Sequence, residues 1–81
     1  VYDLQFNILA QAQLPINLCC PQIDWVELCP EELWNKTLQV LQEAVKTAPG
    51  RILACGVTNQ RETTLLWDKK TGKCLANAIV W

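Results

Sequence analysis

A single long amphipathic helix constrains the fold of this chain more than any other sequence feature. Between Pro30 and Ala48, apolar side chains recur every three or four residues, which places them on one stripe of a helix. Pro30 suits the first helical position, and Glu31 and Glu32 favour the positive end of the helix dipole. Pro49-Gly50 predicts the end of the helix. The apolar stripe consists of Trp34, Leu38, Leu41, Val45 and Ala48.

The segment before this helix alternates between apolar and polar residues. From Leu4 to Leu18 every even position is apolar, and this period of two predicts an extended strand with one buried face. Pro15 places that part of the strand at a sheet edge or outside the sheet. A turn at Asp3–Asn7 is the alternative, and it would shorten the strand to about Ile8–Leu14. We expect residues Cys20–Cys29 to form a loop.

The segment after the helix predicts three further strands. Ile52–Val57 is a continuous apolar run, typical of a strand that is buried on both faces, and Gly56 within it suggests a close approach by another group. Thr63–Trp67 and Leu75–Trp81 are predicted strands joined by a hairpin turn at Asp68–Lys73. The order strand, helix, strand, strand, strand predicts an α/β fold with a mixed sheet and one main helix.

Composition excludes several classes of function. The 81 residues allow one small domain at most. Seven Lys and Arg residues against eight Asp and Glu residues argue against nucleic-acid binding by phosphate neutralisation. The chain has no histidine, which excludes imidazole acid–base chemistry and histidine-ligated metals. No apolar run approaches the roughly 20 residues that span a bilayer, and the first residues lack the basic region of a signal peptide.

The cysteines and the chain ends lead to two further expectations. The five cysteines include no Cys-x-x-C pair, and their spacing is irregular, so we expect reduced thiols in a cytoplasmic protein and no metal site. The sequence begins at Val1 without a methionine and ends at Trp81 inside an apolar run. We therefore expect the chain to be a segment of a larger protein.

A polar cluster follows the predicted buried strand at its carboxyl end, where open α/β sheets place ligands. In this cluster Arg61 offers a fork of hydrogen-bond donors and Glu62 offers carboxylate acceptors, which together can satisfy polyol hydroxyls. Neighbours in a regular strand point to opposite faces, so both reach one ligand only if the backbone turns there. Trp81 or Trp67 would cover the C–H face of the polyol. The alternative is a solvated turn in which Arg61 and Glu62 form ordinary salt bridges.

The stretch Gly56-Val57-Thr58-Asn59-Gln60-Arg61-Glu62-Thr63-Thr64 resembles the signature of the glycerol kinases within the FGGY carbohydrate kinase family. The resemblance covers most of the chain, from about residue 21 to residue 81, and extends weakly to residue 1. It identifies residues 1–81 as part of an FGGY kinase N-terminal domain that is truncated at both ends. The other similar segments are Asp24–Glu27, Pro30–Trp34, Trp67–Lys73 and Asn77–Trp81.

The resemblance implies a ribonuclease-H-like domain of the actin/hexokinase-like ATPase superfamily. It also implies phosphorylation of glycerol to glycerol 3-phosphate by a parent enzyme that uses ATP and Mg²⁺. By position, Arg61 and Glu62 match the residues that hydrogen-bond glycerol hydroxyls, and Trp81 matches the tryptophan that packs on the carbon chain of glycerol. Matching residues that shape the pocket are Thr58, Asn59 and Gln60. No catalytic residue and no metal ligand is implied within the chain.

Departures from the family pattern limit this interpretation. The phosphate loop and the catalytic aspartate of the family match no residue here, so we expect the isolated chain to be inactive and to bind neither ATP nor Mg²⁺ alone. Cys29 replaces the usual Asp at the helix cap, and Asp24 replaces a common loop glycine. Cys74 and Ala76 replace the usual Pro and Tyr.

Other readings of the sequence stay open beside this one. The chain is compatible with a non-catalytic truncated or degenerate product that acts as an interaction module. It is also compatible with a kinase for another polyol or sugar. The partners implied by the kinase interpretation are glycerol and the rest of the kinase chain, with a homo-oligomer left open.

Overall fold

A computed structural model describes residues 1–80 as one helix and a small three-stranded sheet. Strands β1 (Leu18–Gln22) and β2 (Trp25–Leu28) precede helix α1 (Pro30–Thr47), and strand β3 (Ala78–Ile79) lies near the end of the chain. The sheet has the order β1-β2-β3, and both pairings are antiparallel. The combination of one main helix with a sheet confirms the α/β class, although every strand pairing between the described residues is antiparallel rather than mixed.

Strands β1 and β2 form a hairpin in the region that was expected to be a loop. The prediction of a loop at Cys20–Cys29 was therefore wrong. Leu18 pairs with Leu28, and the chain reverses next to Asp24, whose φ is 62°. Aspartate tolerates this left-handed conformation better than most residues, which allows a tight turn without a glycine. Pro21 is accommodated because β1 is the edge strand, where one row of backbone groups needs no partner.

The prediction of a long strand from Leu4 to Leu18 was also wrong. The segment forms one isolated bridge, between Tyr2 and Ile8, and enters β1 only at its last residue. A turn at Asp3–Asn7 replaces its beginning, as the alternative interpretation predicted: the Asp3 carboxylate accepts hydrogen bonds from the backbone of residues 5 and 7, each at 2.9 Å. Alternation predicts an extended backbone, but a strand also needs a neighbour to pair with. Leu9 and Ala10 form backbone hydrogen bonds with Val1, and no strand of residues 1–80 pairs with residues 11–17, so the shorter strand at Ile8–Leu14 is wrong as well.

Helix α1 confirms the helix prediction, including its start at Pro30 and its end just before Pro49-Gly50. Cys29 precedes it in an extended conformation and makes no side-chain capping bond, although its carbonyl accepts a 3.0 Å hydrogen bond from the backbone of Leu33. The apolar stripe is not covered by the described part of the chain: no residue of the helix is fully buried, and Trp34 is 60% exposed.

A polar network holds the chain before β1 against helix α1. Glu32 accepts a 2.8 Å hydrogen bond from the Asn17 side chain and forms a 2.6 Å ion pair with Lys36, whose ammonium also donates to the Pro15 carbonyl. The hydrogen bond from Lys36 is the main cause that holds the pKa of Glu32 below its usual value. A shallow groove of about 210 Å³ lies beside this network. It is lined by Ala12, Gln13, Leu14, Ile16, Leu33, Lys36, Thr37 and Val40.

The strand predicted at Ile52–Val57 is absent from the structure. This run has no regular secondary structure, and Leu53 and Val57 are 67% and 93% exposed. A strand buried on both faces needs neighbours on both edges and a covering layer on each face, and the described residues supply none of them. The close approach expected at Gly56 is likewise absent, since a methyl group there would meet no atom of residues 1–80 within 4 Å.

The final hairpin is confirmed only around its turn. Of the predicted strands Thr63–Trp67 and Leu75–Trp81, the described part forms isolated bridges and the two residues of β3. The turn at Asp68–Lys73 closes with backbone hydrogen bonds, and the Asp68 carboxylate accepts bonds of 2.7 and 2.8 Å from the backbone of residues 70 and 71. Gly72 takes a φ of 73°, which this turn requires and which glycine adopts without strain.

The buried core of the described residues is very small. The buried apolar residues are Ala10, Leu28 and Ala78, and the last two are partners across β2 and β3. All five cysteines are free thiols. Within residues 1–80, no helix is both long enough and apolar enough to cross a membrane.

We expect Cys29→Asp to stabilise the chain by about 1 kcal/mol, because an aspartate oxygen can accept an unpaired amide of the first helical turn. Urea unfolding followed by far-ultraviolet circular dichroism measures the change. Cys29→Ala is the matched control, since it removes the thiol without adding an acceptor. Equal stability of the Asp and Ala variants would contradict the assignment of an uncapped helix.

We expect the Asp68 turn to weaken in acid. Its hydrogen bonds from the backbone of Thr71 and Lys70 lower the pKa of Asp68 from an ordinary value of 3.8. A lowered folded-state pKa adds stability above the ordinary value, and this stability is lost as the pH falls through the folded-state pKa. Asp68→Asn keeps an acceptor but does not titrate. The difference in unfolding free energy between the two chains should be constant above about pH 5 and shift against the unsubstituted chain below about pH 4. A difference that is identical at both ends of this range is the contrary result.

Candidate functional site

Arg61 and Glu62 form a two-residue turn between the exposed apolar run and the final hairpin. Both residues are exposed, and Glu62 has a φ of 58°. The chain therefore turns at the point where the sequence argument requires it to turn if both side chains are to reach one ligand. In such a turn, neighbouring side chains are not held on opposite faces as they are in a regular strand.

The backbone of Glu62 is strained, and its side chain does not explain the strain. Left-handed conformations cost a residue with a Cβ about 1–2 kcal/mol, and Asp or Asn reduce this cost through short local hydrogen bonds. The longer Glu62 side chain forms no hydrogen bond with residues 1–80. Phe6 and Asp24 adopt the same conformation in other turns, with φ of 64° and 62°, so the positive φ is compatible with a functional turn but does not single it out.

The charged groups of the turn are not neutralised by the described part of the chain. The ion pair formed between residues 1–80 joins Lys36 to Glu32, and it involves neither Arg61 nor Glu62. The alternative of a solvated turn therefore agrees with the structure in the exposed turn, whereas its salt bridges do not form between the described residues. Within residues 1–80, neither the Arg61 guanidinium nor the Glu62 carboxylate has an ion-pair partner.

The next residues attach the turn to the sheet. Thr64 and Ile79 exchange two backbone hydrogen bonds of 2.9 and 3.0 Å, and Ile79 faces Glu27 of β2 on its other side. Val80 donates a 3.2 Å hydrogen bond to the Val26 carbonyl. The structure thus pairs the segment that follows the Arg61–Glu62 turn with Ile79, which lies two residues before residue 81.

The remaining predicted site residues are less well defined. Thr58, Asn59 and Gln60 are exposed and have no regular structure. Trp81 lies outside the described residues, so its contact with a polyol stays a prediction. Trp67 is 59% exposed and pairs with Cys74 next to the hairpin turn.

One polar contact beside the site was not predicted from the sequence. The Asn77 side-chain amide donates a 3.0 Å hydrogen bond to the Glu27 carboxylate, and the contact is partly buried. The two residues are 50 positions apart. In the sequence, both stand out only as parts of segments that resemble the kinase family. Their neighbourhood depends on the pairing of β2 with β3, for which the local sequence contains no signal.

The described residues contain no ready metal site. Within residues 1–80, no three Asp, Glu or Cys side chains are grouped closely enough to hold an ion. The carboxylates whose pKa values are lowered are Asp3, Glu32 and Asp68, and their hydrogen bonds explain these shifts. What the site offers is a strained turn whose guanidinium and carboxylate form no ion pair with residues 1–80.

Comparison with known proteins identifies the class to which this site belongs. Residues 1–81 match the N-terminal domain of the FGGY family of carbohydrate kinases. The chain belongs to this family, and the resemblance that was predicted from the Gly56–Thr64 stretch is confirmed.

Within the family, the relatives reported next are all glycerol kinases. The chain is 46% identical to a glycerol kinase of Rhodospirillum centenum and 48% identical to those of Natranaerobius thermophilus and Borreliella burgdorferi strain ZS7. Each alignment covers the entire chain and 17% of the relative. The chain thus spans about one-sixth of the length of these curated relatives.

Proposed function

We propose that this chain contributes part of the glycerol site of a cytoplasmic kinase that phosphorylates glycerol to glycerol 3-phosphate with ATP. The observation that carries the proposal is the 46–48% identity to glycerol kinases along the entire chain. The turn at Arg61 and Glu62 supports it, because it presents a free donor group and a free acceptor group side by side. The free thiols support a reducing compartment.

In this proposal the turn binds and orients the substrate. The Arg61 guanidinium donates hydrogen bonds to glycerol hydroxyl oxygens, and the Glu62 carboxylate accepts hydrogen bonds from glycerol hydroxyl groups. Hydrogen bonds to charged groups are shorter and stronger than neutral ones, so two of them fix a small flexible polyol well. The Trp81 ring packs on the carbon chain. Thr58, Asn59 and Gln60 form the adjoining wall of the pocket.

The described residues do not provide the phosphoryl-transfer machinery. Within residues 1–80, no three carboxylate or thiol side chains are grouped as ligands for Mg²⁺. Phosphoryl transfer depends mainly on positioning and charge neutralisation, and the role assigned to this chain is positioning of the acceptor. The proposal places the small sheet within a ribonuclease-H-like domain of the parent enzyme.

The exposed apolar surfaces support contact with the rest of a kinase chain. Val57 is 93% exposed within an apolar run, and the stripe of helix α1 includes the exposed Trp34. Several exposed apolar side chains in one run or along one helix stripe are compatible with an interface. The same exposed residues are also compatible with the alternative, in which the chain is a separate interaction module. The sequence identity to glycerol kinases favours the first hypothesis, in which the chain is a segment of a kinase.

A chimeric kinase tests the proposed function. We expect the Natranaerobius thermophilus glycerol kinase to retain glycerol-dependent ADP formation when its matching segment is replaced by residues 1–81. The 81-residue chain alone should form no ADP. Activity of the isolated chain would contradict the proposal, and so would a soluble, folded chimera without activity. A chimera that prefers a pentose or a longer polyol would support the alternative substrate instead.

We expect Arg61→Ala in this chimera to raise the KM for glycerol. Loss of a charge-assisted contact should also lower kcat/KM, by a factor that corresponds to about 2–4 kcal/mol of lost transition-state binding. Arg51→Ala is the matched control, because Arg51 is an exposed arginine outside the turn. The KM for ATP should stay unchanged in both variants. An unaltered KM for glycerol in Arg61→Ala would exclude the assigned contact.

A further inference from the structure

The hydrogen bond between Glu27 and Asn77 joins two parts of the chain that are 50 residues apart. Glu27 belongs to β2, and Asn77 immediately precedes β3. Other side-chain hydrogen bonds of the described residues are exposed, including the one from Asn17 to Glu32, whereas this one is partly buried. Partial burial strengthens a hydrogen bond to a carboxylate because less water competes for it.

The register explains why the two side chains meet. Glu27 lies opposite Ile79, and Asn77 lies two residues before Ile79 along the same strand direction. Positions two apart share a face of the sheet, so Glu27 and Asn77 form a diagonal cross-strand pair. A shift of one residue would move Asn77 to the other face and break the contact. The hydrogen bond therefore selects this register.

The same register sets the geometry of the candidate site. Ile79 lies between Glu27 and Thr64, and it exchanges two backbone hydrogen bonds with Thr64. Thr64 comes two residues after Glu62. Since β3 contains only two residues, its own backbone bonds specify the register weakly, and a side-chain contact has a large influence.

We propose that Glu27 and Asn77 are positioning residues for the glycerol site. Their hydrogen bond holds β3 in register on β2, and β3 in turn holds the Arg61–Glu62 turn through Thr64. Neither residue is assigned a contact with glycerol. The inference rests on the proposed function for its substrate, whereas the effect on the turn is a property of the chain alone.

An exchange of donor and acceptor tests the proposal in the chimeric kinase. Asn77→Asp places two carboxylates face to face and should raise the KM for glycerol about fivefold or more, with the KM for ATP unchanged. The double variant Glu27→Gln with Asn77→Asp restores a hydrogen bond in the opposite direction and should return the KM for glycerol to within about twofold of the unsubstituted chimera. Rescue of this kind separates the pairing from the individual side chains.

Asn17→Asp is the matched control, because Asn17, immediately before β1, also donates its amide to a glutamate, which here is Glu32 of helix α1 and not a residue of β2. It should leave both KM values unchanged. The proposal is overturned if Asn77→Asp leaves the KM for glycerol unchanged. It is also overturned if the double variant fails to rescue, or if both KM values rise together.

Amide NMR of the 81-residue chain provides a readout that does not depend on activity. Asn77→Asp should shift the Arg61 and Glu62 amides and speed the hydrogen exchange of Thr64 and Ile79, and the double variant should reverse both effects. Spectra in which these amides respond no more than in Asn17→Asp would overturn the positioning role. If the unsubstituted chimera is inactive, the proposed function fails, and these spectra alone decide whether the pair positions the turn.

Discussion

The pairing of Ile79 on both sides is the contact on which the rest of this structure depends. On one side Ile79 faces Glu27 in β2, and on the other side it exchanges two backbone hydrogen bonds with Thr64. These pairings connect the hairpin before the helix with the segment after it. Without them, the Arg61 turn would have no fixed position relative to the first half of the chain.

Little apolar burial supports this hydrogen-bonded row. Leu28 and Ala78 are buried as partners across β2 and β3, and Ala10 is the third buried apolar residue of the described chain. Hydrophobic burial is the main favourable contribution to folding, so a core of this size contributes only modestly. Local polar contacts, such as those of Asp3 and Asp68 in their turns, organise much of the remaining chain.

The candidate site combines a strained backbone with free polar groups. The positive φ of Glu62 costs free energy, and no hydrogen bond of its side chain within residues 1–80 offsets it. The chain belongs to the FGGY carbohydrate kinases. Under the proposed function, the donors of Arg61 and the acceptors of Glu62 suit a polyol, which both donates and accepts hydrogen bonds. Glu27 and Asn77 form a partly buried hydrogen bond outside the turn.

The sequence by itself determined the local features whose causes are local. Helix α1, the Asp68–Lys73 turn and the turn at Asp3–Asn7 follow from helix periodicity, proline and glycine signals and short side-chain-to-backbone hydrogen bonds. The Gly56–Thr64 stretch also identified the family. Only the tertiary structure decided which alternating segments become strands, because alternation predicts an extended backbone but does not supply a partner. The availability of pairing partners also explains why the hairpin of β1 and β2 forms where a loop was expected and why Ile52–Val57 stays unpaired. The pairing of β2 with β3 likewise brings Asn77 to Glu27.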